Sequence, residues 1–266
     1  MTLAMEIAPA TSLGTGTTKT QLGGQDITLP ADAKCIVGIV PYICSVTPTA
    51  GEAVIAKCEL ESDDFTIQPY AVPFPPIAGH LSTAGNAEHF VPPLKVWEVY
   101  CPVKGGDRLR VYGTALASNT VAPYAGCGII ISDQMPEKPQ VKAKMGTLTS
   151  TGTTVGEVAG TAYTFTGGTN IIGVYGIVVN ATVSASKPYI GYIRLSSSEF
   201  EKAFPMKFPV QPLATGLGAE INCALSDVIV HRVDMPIKSP TTIQDYFKLE
   251  VGLTTAGKFV TGVLYI

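Results

Sequence analysis

Charge is scarce in this chain. Asp, Glu, Lys and Arg together make up 15% of its 266 residues, against roughly 25% in an average soluble domain. The 18 basic and 21 acidic residues nearly balance, leaving a formal charge of −3, which argues against the broad basic surface of a free-standing nucleic-acid binder. Histidine occurs three times and tryptophan once. No apolar run reaches about 18 residues, so no membrane-spanning helix is expected. The opening Met1-Thr2-Leu3-Ala4-Met5-Glu6 lacks a basic stretch followed by an apolar one, and we expect no cleaved export signal.

The six cysteines, Cys35, Cys44, Cys58, Cys101, Cys127 and Cys223, form no Cys-x-x-Cys pair and no zinc-knuckle spacing. Each sits in an apolar, strand-like run, where cysteine behaves as a small buried hydrophobe.

Hydrophobic residues make up 46% of the chain. Folded alone, a chain of this size exposes roughly 11,000 Å². So thinly charged a surface points to cover by neighbours. The 27 glycines, 20 prolines and 29 threonines favour short strands and turns over long helices.

An internal repeat organises the sequence. Cys35-Ile36-Val37-Gly38-Ile39-Val40-Pro41 lies over Asn170-Ile171-Ile172-Gly173-Val174-Tyr175-Gly176 at a shift of 135 residues. The same shift pairs Thr47 with Thr182, Ala50 with Ala185, Leu60 with Leu195, Ser62 with Ser197 and Phe65 with Phe200. A shift of 134 pairs Pro102 with Pro236, Lys104 with Lys238 and Gly128 with Gly262. Tandem duplication of one β unit is the simplest account. The break falls in the charged, proline-punctuated Asp133–Lys144, which reads as an extended, solvated connector.

Alternation of apolar and polar residues predicts half-buried strands at Gln25–Leu29, Trp97–Cys101 and Asp107–Tyr112. Denser runs at Cys35–Cys44 and Gly128–Ile131 read as strands buried on both faces, or as strands at a subunit seam. Thr15–Leu22, Val54–Leu60 and Thr66–Val72 complete roughly eight strands in the first unit, as fits a jelly roll. In the second unit the candidates are Ala162–Thr166, Ile171–Ala181, Tyr189–Leu195, Glu220–Val233, Tyr246–Val251 and Phe259–Ile266. Ser196 and Glu199 suggest a capped helical turn at Ser197–Ala203, with Ser62–Phe65 as its counterpart. Long proline-bounded loops, Pro73 to Pro93 and Phe208 to Gly218, recur at equivalent places and read as functional or interfacial.

The search for chemistry is negative. A duplicated metal enzyme of cupin type needs converging imidazoles and carboxylates, but His80, His89 and His231 form no His-x-His pair and do not repeat between units. No Gly-x-Ser-x-Gly elbow occurs, and no cysteine has a histidine nearby. Gly14–Lys19 lacks the ending of a phosphate loop. Glu59, Glu61, Asp63 and Asp64 could hold calcium but read better as a solvated turn. Asn180-Ala181-Thr182 is a sequon without an export signal, and Trp97 reads as core or interface before sugar platform. No catalytic, cofactor-binding or metal residue is assigned.

Two jelly-roll-sized units in tandem, over Gly14 to Ile266 and with few charges and no site, resemble the double jelly-roll major capsid proteins of tailless icosahedral viruses. The resemblance implies an all-β fold of two tandem jelly-roll domains, 1–132 and 146–266, joined by a linker at 133–145. It implies a non-enzymatic virion protein, assembled in the host cytoplasm, whose homotrimers form pseudo-hexameric capsomers. The partners it implies are neighbouring capsomers, penton or minor capsid proteins, and an internal lipid membrane, with no cofactor. Loops after Pro73 and Pro209 would form towers or subunit contacts. Met1–Leu13 carries no basic residue, so direct contact with nucleic acid is not expected. A tandem β-sandwich binding module, lectin-like or a fibre or spike component, is the alternative.

Overall fold

A computed structural model describes residues 2–44, 53–67, 69–81, 87–90, 94–180, 191–199, 206–210, 212–214, 224–226, 228–253 and 256–266. The first half contains β1 (Leu3–Ser12), β2 (Thr20–Gln21), β3 (Ile27–Thr28), β4 (Cys35–Cys44), β5 (Ala53–Val54) and β6 (Ala56–Glu61). It continues with β7 (Ala71–Pro73), β8 (Ile77–Leu81), β9 (Ala87–Phe90), β10 (Trp97–Pro102), β11 (Arg108–Ala115) and β12 (Tyr124–Ser132). The second half contains β13 (Lys142–Met145), β14 (Thr149–Gly152), β15 (Gly156–Phe165), β16 (Thr169–Asn180), β17 (Gly191–Ser196) and β18 (Met206–Val210). It ends with β19 (Pro212–Ala214), β20 (Ala224–Ser226), β21 (His231–Ile237), β22 (Thr241–Leu249) and β23 (Gly257–Tyr265).

One sheet of the first half runs β1-β12-β4-β10, and the other runs β2-β11-β6-β7 with β3 also on β11. The second half repeats this order as β13-β23-β16, with β21 also on β16, facing β15-β22-β17-β18. In each half the first strand pairs with the last and both sheets alternate early and late strands, which is jelly-roll connectivity. The fold is therefore all-β, two jelly-roll sandwiches in tandem.

The repeat extends to register. Ile39 lies opposite Ile129, and their counterparts Val174 and Val263 lie opposite each other. A bulge skips Val37 between the pairs Ile36–Ile131 and Gly38–Ile130. The second sandwich skips Ile172 at the same place, between Ile171–Tyr265 and Gly173–Leu264. Both sheets thus bend at one inherited position.

Turns repeat as well. The Ser62 hydroxyl accepts hydrogen bonds from the Asp64 and Phe65 N–H groups, and Ser197 accepts one from Glu199. Asp64 then accepts from the N–H of Arg108, and Glu199 from those of Lys238 and Ser239. Each carboxylate ties the same pair of turns. The expected helical turn is a turn at Ser198–Glu199, and residues 200–203 lie outside the described residues.

The structure also departs from the sequence reading. β1 begins before the strands expected from alternation, and the candidate Thr15–Leu22 shrinks to Thr20–Gln21. Thr66–Val72 becomes Ala71–Pro73, and Glu220–Val233 divides into β20 and β21. Lys142–Met145, read as the end of the connector, pairs with β23 and opens the second sandwich. Where the long loops are described they hold strand pairs, β8 with β9 and β5 in the first half and β19 with β20, which adds to β16, in the second.

Gly105 shows how tightly the turns meet: a Cβ there would lie 2.0 Å from the carbonyl oxygen of Ala31. Backbone cannot yield as a side-chain tip can, so Gly105→Ala is expected to destabilise the protein by about 1–3 kcal/mol. Urea unfolding measures it, and an unchanged midpoint would refute the close approach.

Candidate assembly interface

Among the described residues, no three His, Cys, Asp or Glu groups are placed to hold a metal ion. His80 and His89 lie in the β8-β9 ladder, opposite Glu88 and Gly79. His231 starts β21, where partial burial lowers its pKa. Cys35, Cys58, Cys101 and Cys127 are buried and free; burial pushes the Cys35 thiol up to about 11 and that of Cys101 up to about 12, far from a nucleophile's range. Cys44 is exposed, at the end of its strand, and Cys223 lies outside the described residues.

The acidic group is already paired. Lys19 bridges to Glu61 and Glu59, Lys57 lies 3.0 Å from Glu59, Arg110 lies 2.6 Å from Asp63, and Arg108 lies 3.3 Å from Asp64. With its charge matched by cations, the cluster is a network of ion pairs on β6 and β11 and not a cation cage. Gly14–Lys19 is irregular chain ending at that network, with no helix after it beyond one 3-10 turn at Leu22–Gly24. Asn180 ends β16, and the other residues of the sequon lie outside the described residues.

The densest unassigned feature is the seam between the sandwiches. Alternation along β16 puts Gly173, Tyr175, Ile177 and Val179 on its outer face, and that face is buried against the first sandwich. Tyr175 packs edge-on to Trp97, with ring centroids 5.2 Å apart, and joins the first sandwich's core with Tyr70 and Val99. Its hydroxyl finds no hydrogen-bond partner among the described residues, and burial holds its pKa well above the usual range. Trp97 is buried here, as expected of a core or interface residue and unlike a sugar platform. Ile177, Val179 and Val260 form a further apolar cluster with Ile55, against which Leu116 and Met145 pack.

Backbone bonds close the same seam. Val141 N–H donates to the carbonyl of Val99 at 2.8 Å, and Ala143 N–H to that of Pro69 at 3.1 Å. Lys95 donates to the Val228 carbonyl at 3.1 Å, and Arg232 lies 3.5 Å from Glu98. The seam is thus a whole sheet face, β13-β23-β16-β21, laid on the β7-β10 edge of the first sandwich.

The matching face of the first sandwich is bare. Register makes Leu3, Met5 and Ile7 the counterparts of Val141, Ala143 and Met145, since Met5 lies opposite Ile130 and Ala143 opposite Leu264. Val141 and Ala143 are buried, whereas Leu3, Met5 and Ile7 are 55%, 58% and 57% exposed. Val96, the counterpart of Val230, is 55% exposed, and Leu94, the counterpart of Val228, 61%. Val228, Val230 and Leu264 pack on the first core. Single exposed apolar side chains are ordinary, but a contiguous row marks an interaction site.

Two other features remain, a cleft that borders the seam at Pro69 and a buried carboxylate in the second core. A cleft of about 240 Å³ is lined by Lys142, Lys144, Thr164, Phe165, Thr169 and Tyr265, and Lys144 donates to the Thr164 carbonyl inside it. In the second core, Asp245 takes the place of Val111 and accepts from the Thr261 hydroxyl, which also meets Tyr163 Oη at 2.7 Å. Among the described residues its Oδ1 has no hydrogen-bond partner, and burial raises its pKa to about 6.

No protein-family model and no curated protein sequence matches this chain. Among solved structures, PNGF-II is similar at a TM-score of 0.50 with 7% identity, over 98% of this chain and 65% of that one. The atomic structure of Sulfolobus Turreted Icosahedral Virus is similar at a TM-score of 0.47 with 12% identity, over 99% of this chain and 90% of that one. A peptide-N(4)-(N-acetyl-β-D-glucosaminyl)asparagine amidase gives 0.47 with 10% identity, over 99% and 96%. The likeness to PNGF-II shows a shared fold.

Two tests follow. Tyr175→Ala empties a fully buried ring at the centre of the seam and is expected to cost about 3–5 kcal/mol, read by denaturant unfolding; a cost below 1 kcal/mol would contradict the packing. Asp245 has a folded pKa above its ordinary 3.8, so its protonated form stabilises the fold and that contribution fades as pH rises through 6. The protein should gain about 1 kcal/mol at pH 5 relative to pH 8 from this group, and Asp245→Asn should remove that dependence.

Proposed function

We propose that this protein is a structural shell protein, a capsid subunit that acts by binding copies of itself and not by catalysis. One observation carries the reading: a sheet face that is buried within the chain on the second sandwich is repeated, apolar and bare, on the first. A face built to be covered, on a chain with this little charge, calls for a partner with the shape of the chain's own seam.

The contact within the chain joins unlike surfaces, a sheet face and a sandwich edge. Repeated between chains, such a heterologous contact closes into a ring or runs on as a filament. Six similar sandwiches from three chains make a homotrimer with a pseudo-hexagonal outline, which tiles an icosahedral shell together with neighbouring capsomers and with penton or minor capsid proteins. The two linked sandwiches, 1–132 and a second that opens at Lys142, would be the products of one duplicated gene, and the virion the place of action. An enclosed lipid membrane belongs to the same reading. The scarcity of basic residues in Met1–Leu13 favours it over direct contact with the genome.

A tandem β-sandwich binding module is the second reading, favoured by the cleft beside Lys142 and Lys144. It differs in being content as a monomer. Light scattering on the purified protein distinguishes the two. We expect a mass of three chains, stable to dilution, with hexagonal particles by electron microscopy; a stable monomer across concentration and salt would overturn the shell reading.

A further inference from the structure

Resting on that reading, we propose that the outer face of β1, β12, β4 and β10 docks on the β21 edge of the second sandwich of a second copy. The contact repeats the chain's own seam with the roles of the two sandwiches exchanged.

The exchange can be followed residue by residue. In the existing seam, Val141 of the docking face donates to the Val99 carbonyl of the receiving edge. Their counterparts are Leu3 and Val233, so Leu3 of one chain meets Val233 of the next. Tyr175 is the docking face's central side chain, and its counterpart Val40 is half-buried on the bare face.

Charge survives the exchange. Arg232 of the docking face now meets Glu98 of the receiving edge; between chains, Glu98 takes the docking place and Arg232 the receiving one, so opposite charges face each other again. The surface chemistry also matches where it differs from the inner seam. Lys95 on the receiving edge, which reaches the Val228 carbonyl, is replaced by Ile229, 58% exposed, and Val228 opposite it is replaced by the exposed Leu94. A lysine reaching a carbonyl becomes an apolar pair. Leu3, Met5, Ile7, Leu94, Val96 and Ile229, all large and exposed, fall within this single contact, and their burial removes a large share of the apolar surface that the folded chain leaves in water.

Among the described residues β1 is also an edge strand, paired with β12 alone. An unpaired strand edge is a template for another chain, and docking would cover it as β13 is covered by Pro69 and Val99.

A cysteine pair tests the contact directly. The Val233 side chain packs on its own core, so the cysteine is placed on Asp234, the exposed next residue of the same peptide. Strand neighbours of this kind have Cα atoms within disulfide reach, about 5–6 Å, so Leu3→Cys with Asp234→Cys should on oxidation give covalent two- and three-chain species on a non-reducing gel. Each single variant and the wild type, which carries the exposed Cys44, should remain single chains. A second test uses Met5→Asp with Ile7→Asp, both at exposed positions, which should keep the far-ultraviolet signature and lose the trimer peak. If the wild type is oligomeric while the double cysteine variant stays a single chain and the aspartate variant stays assembled, this docking is wrong and the shell reading stands. If the wild type is a monomer, both fall.

Discussion

The structure depends on one act of burial: the outer face of the second sandwich's sheet is laid on the first sandwich, with Tyr175 against Trp97 at its centre. A sheet of a sandwich needs only one covered face, and its outer face ordinarily meets water. Here the outer face is apolar from Val141 to Val230, which makes a lone second sandwich an unfavourable object. Covering that face fixes the two sandwiches against each other, places β13 beside Pro69 and Val99, and explains why a tyrosine hydroxyl can be left without a partner. The ring's burial outweighs the loss of one hydrogen bond with water.

Duplication then sets the logic of the surface. Two sandwiches with the same strand order, bulge and turn carboxylates inherit the same apolar face, yet within one chain only one copy of it can be covered. The second copy, with Leu3, Met5 and Ile7 as its outermost row, is an unmet demand that a single chain cannot satisfy. Its position is what the fold puts forward. The ionisable groups that sequence alone brought to notice have other duties: Asp64 ties turns, Glu59 and Glu61 answer Lys19 and Lys57, and four cysteines fill cores.

The repeat, the all-β character and the jelly-roll size were legible because buried strands keep their apolar residues and turns keep their serines through duplication. Ile39 and Val174, or Ser62 and Ser197, align without a gap and occupy one place in the fold. β1 escaped notice for a physical reason: its large apolar residues Leu3, Met5 and Ile7 point outward while Glu6 lies on the inner side, the reverse of an ordinary half-buried strand. The same reversal lays the apolar row on the outer face, so the pattern that hid the strand is also the one on which the proposed docking rests. β13 was hidden by its lysines, which alternate with the seam residues Ala143 and Met145. Trp97 was legible as core or interface, but its partner Tyr175 was not, since nothing local in a sequence tells which face of a doubly covered strand meets a second domain.

The most direct measurement is a single-particle reconstruction of the purified protein at a resolution that traces strands. The account predicts a closed ring of six sandwiches in which every β1 face lies on the β21 edge of the next chain. A particle of one chain, or an assembly in which Leu3, Met5 and Ile7 remain in solvent, would contradict it.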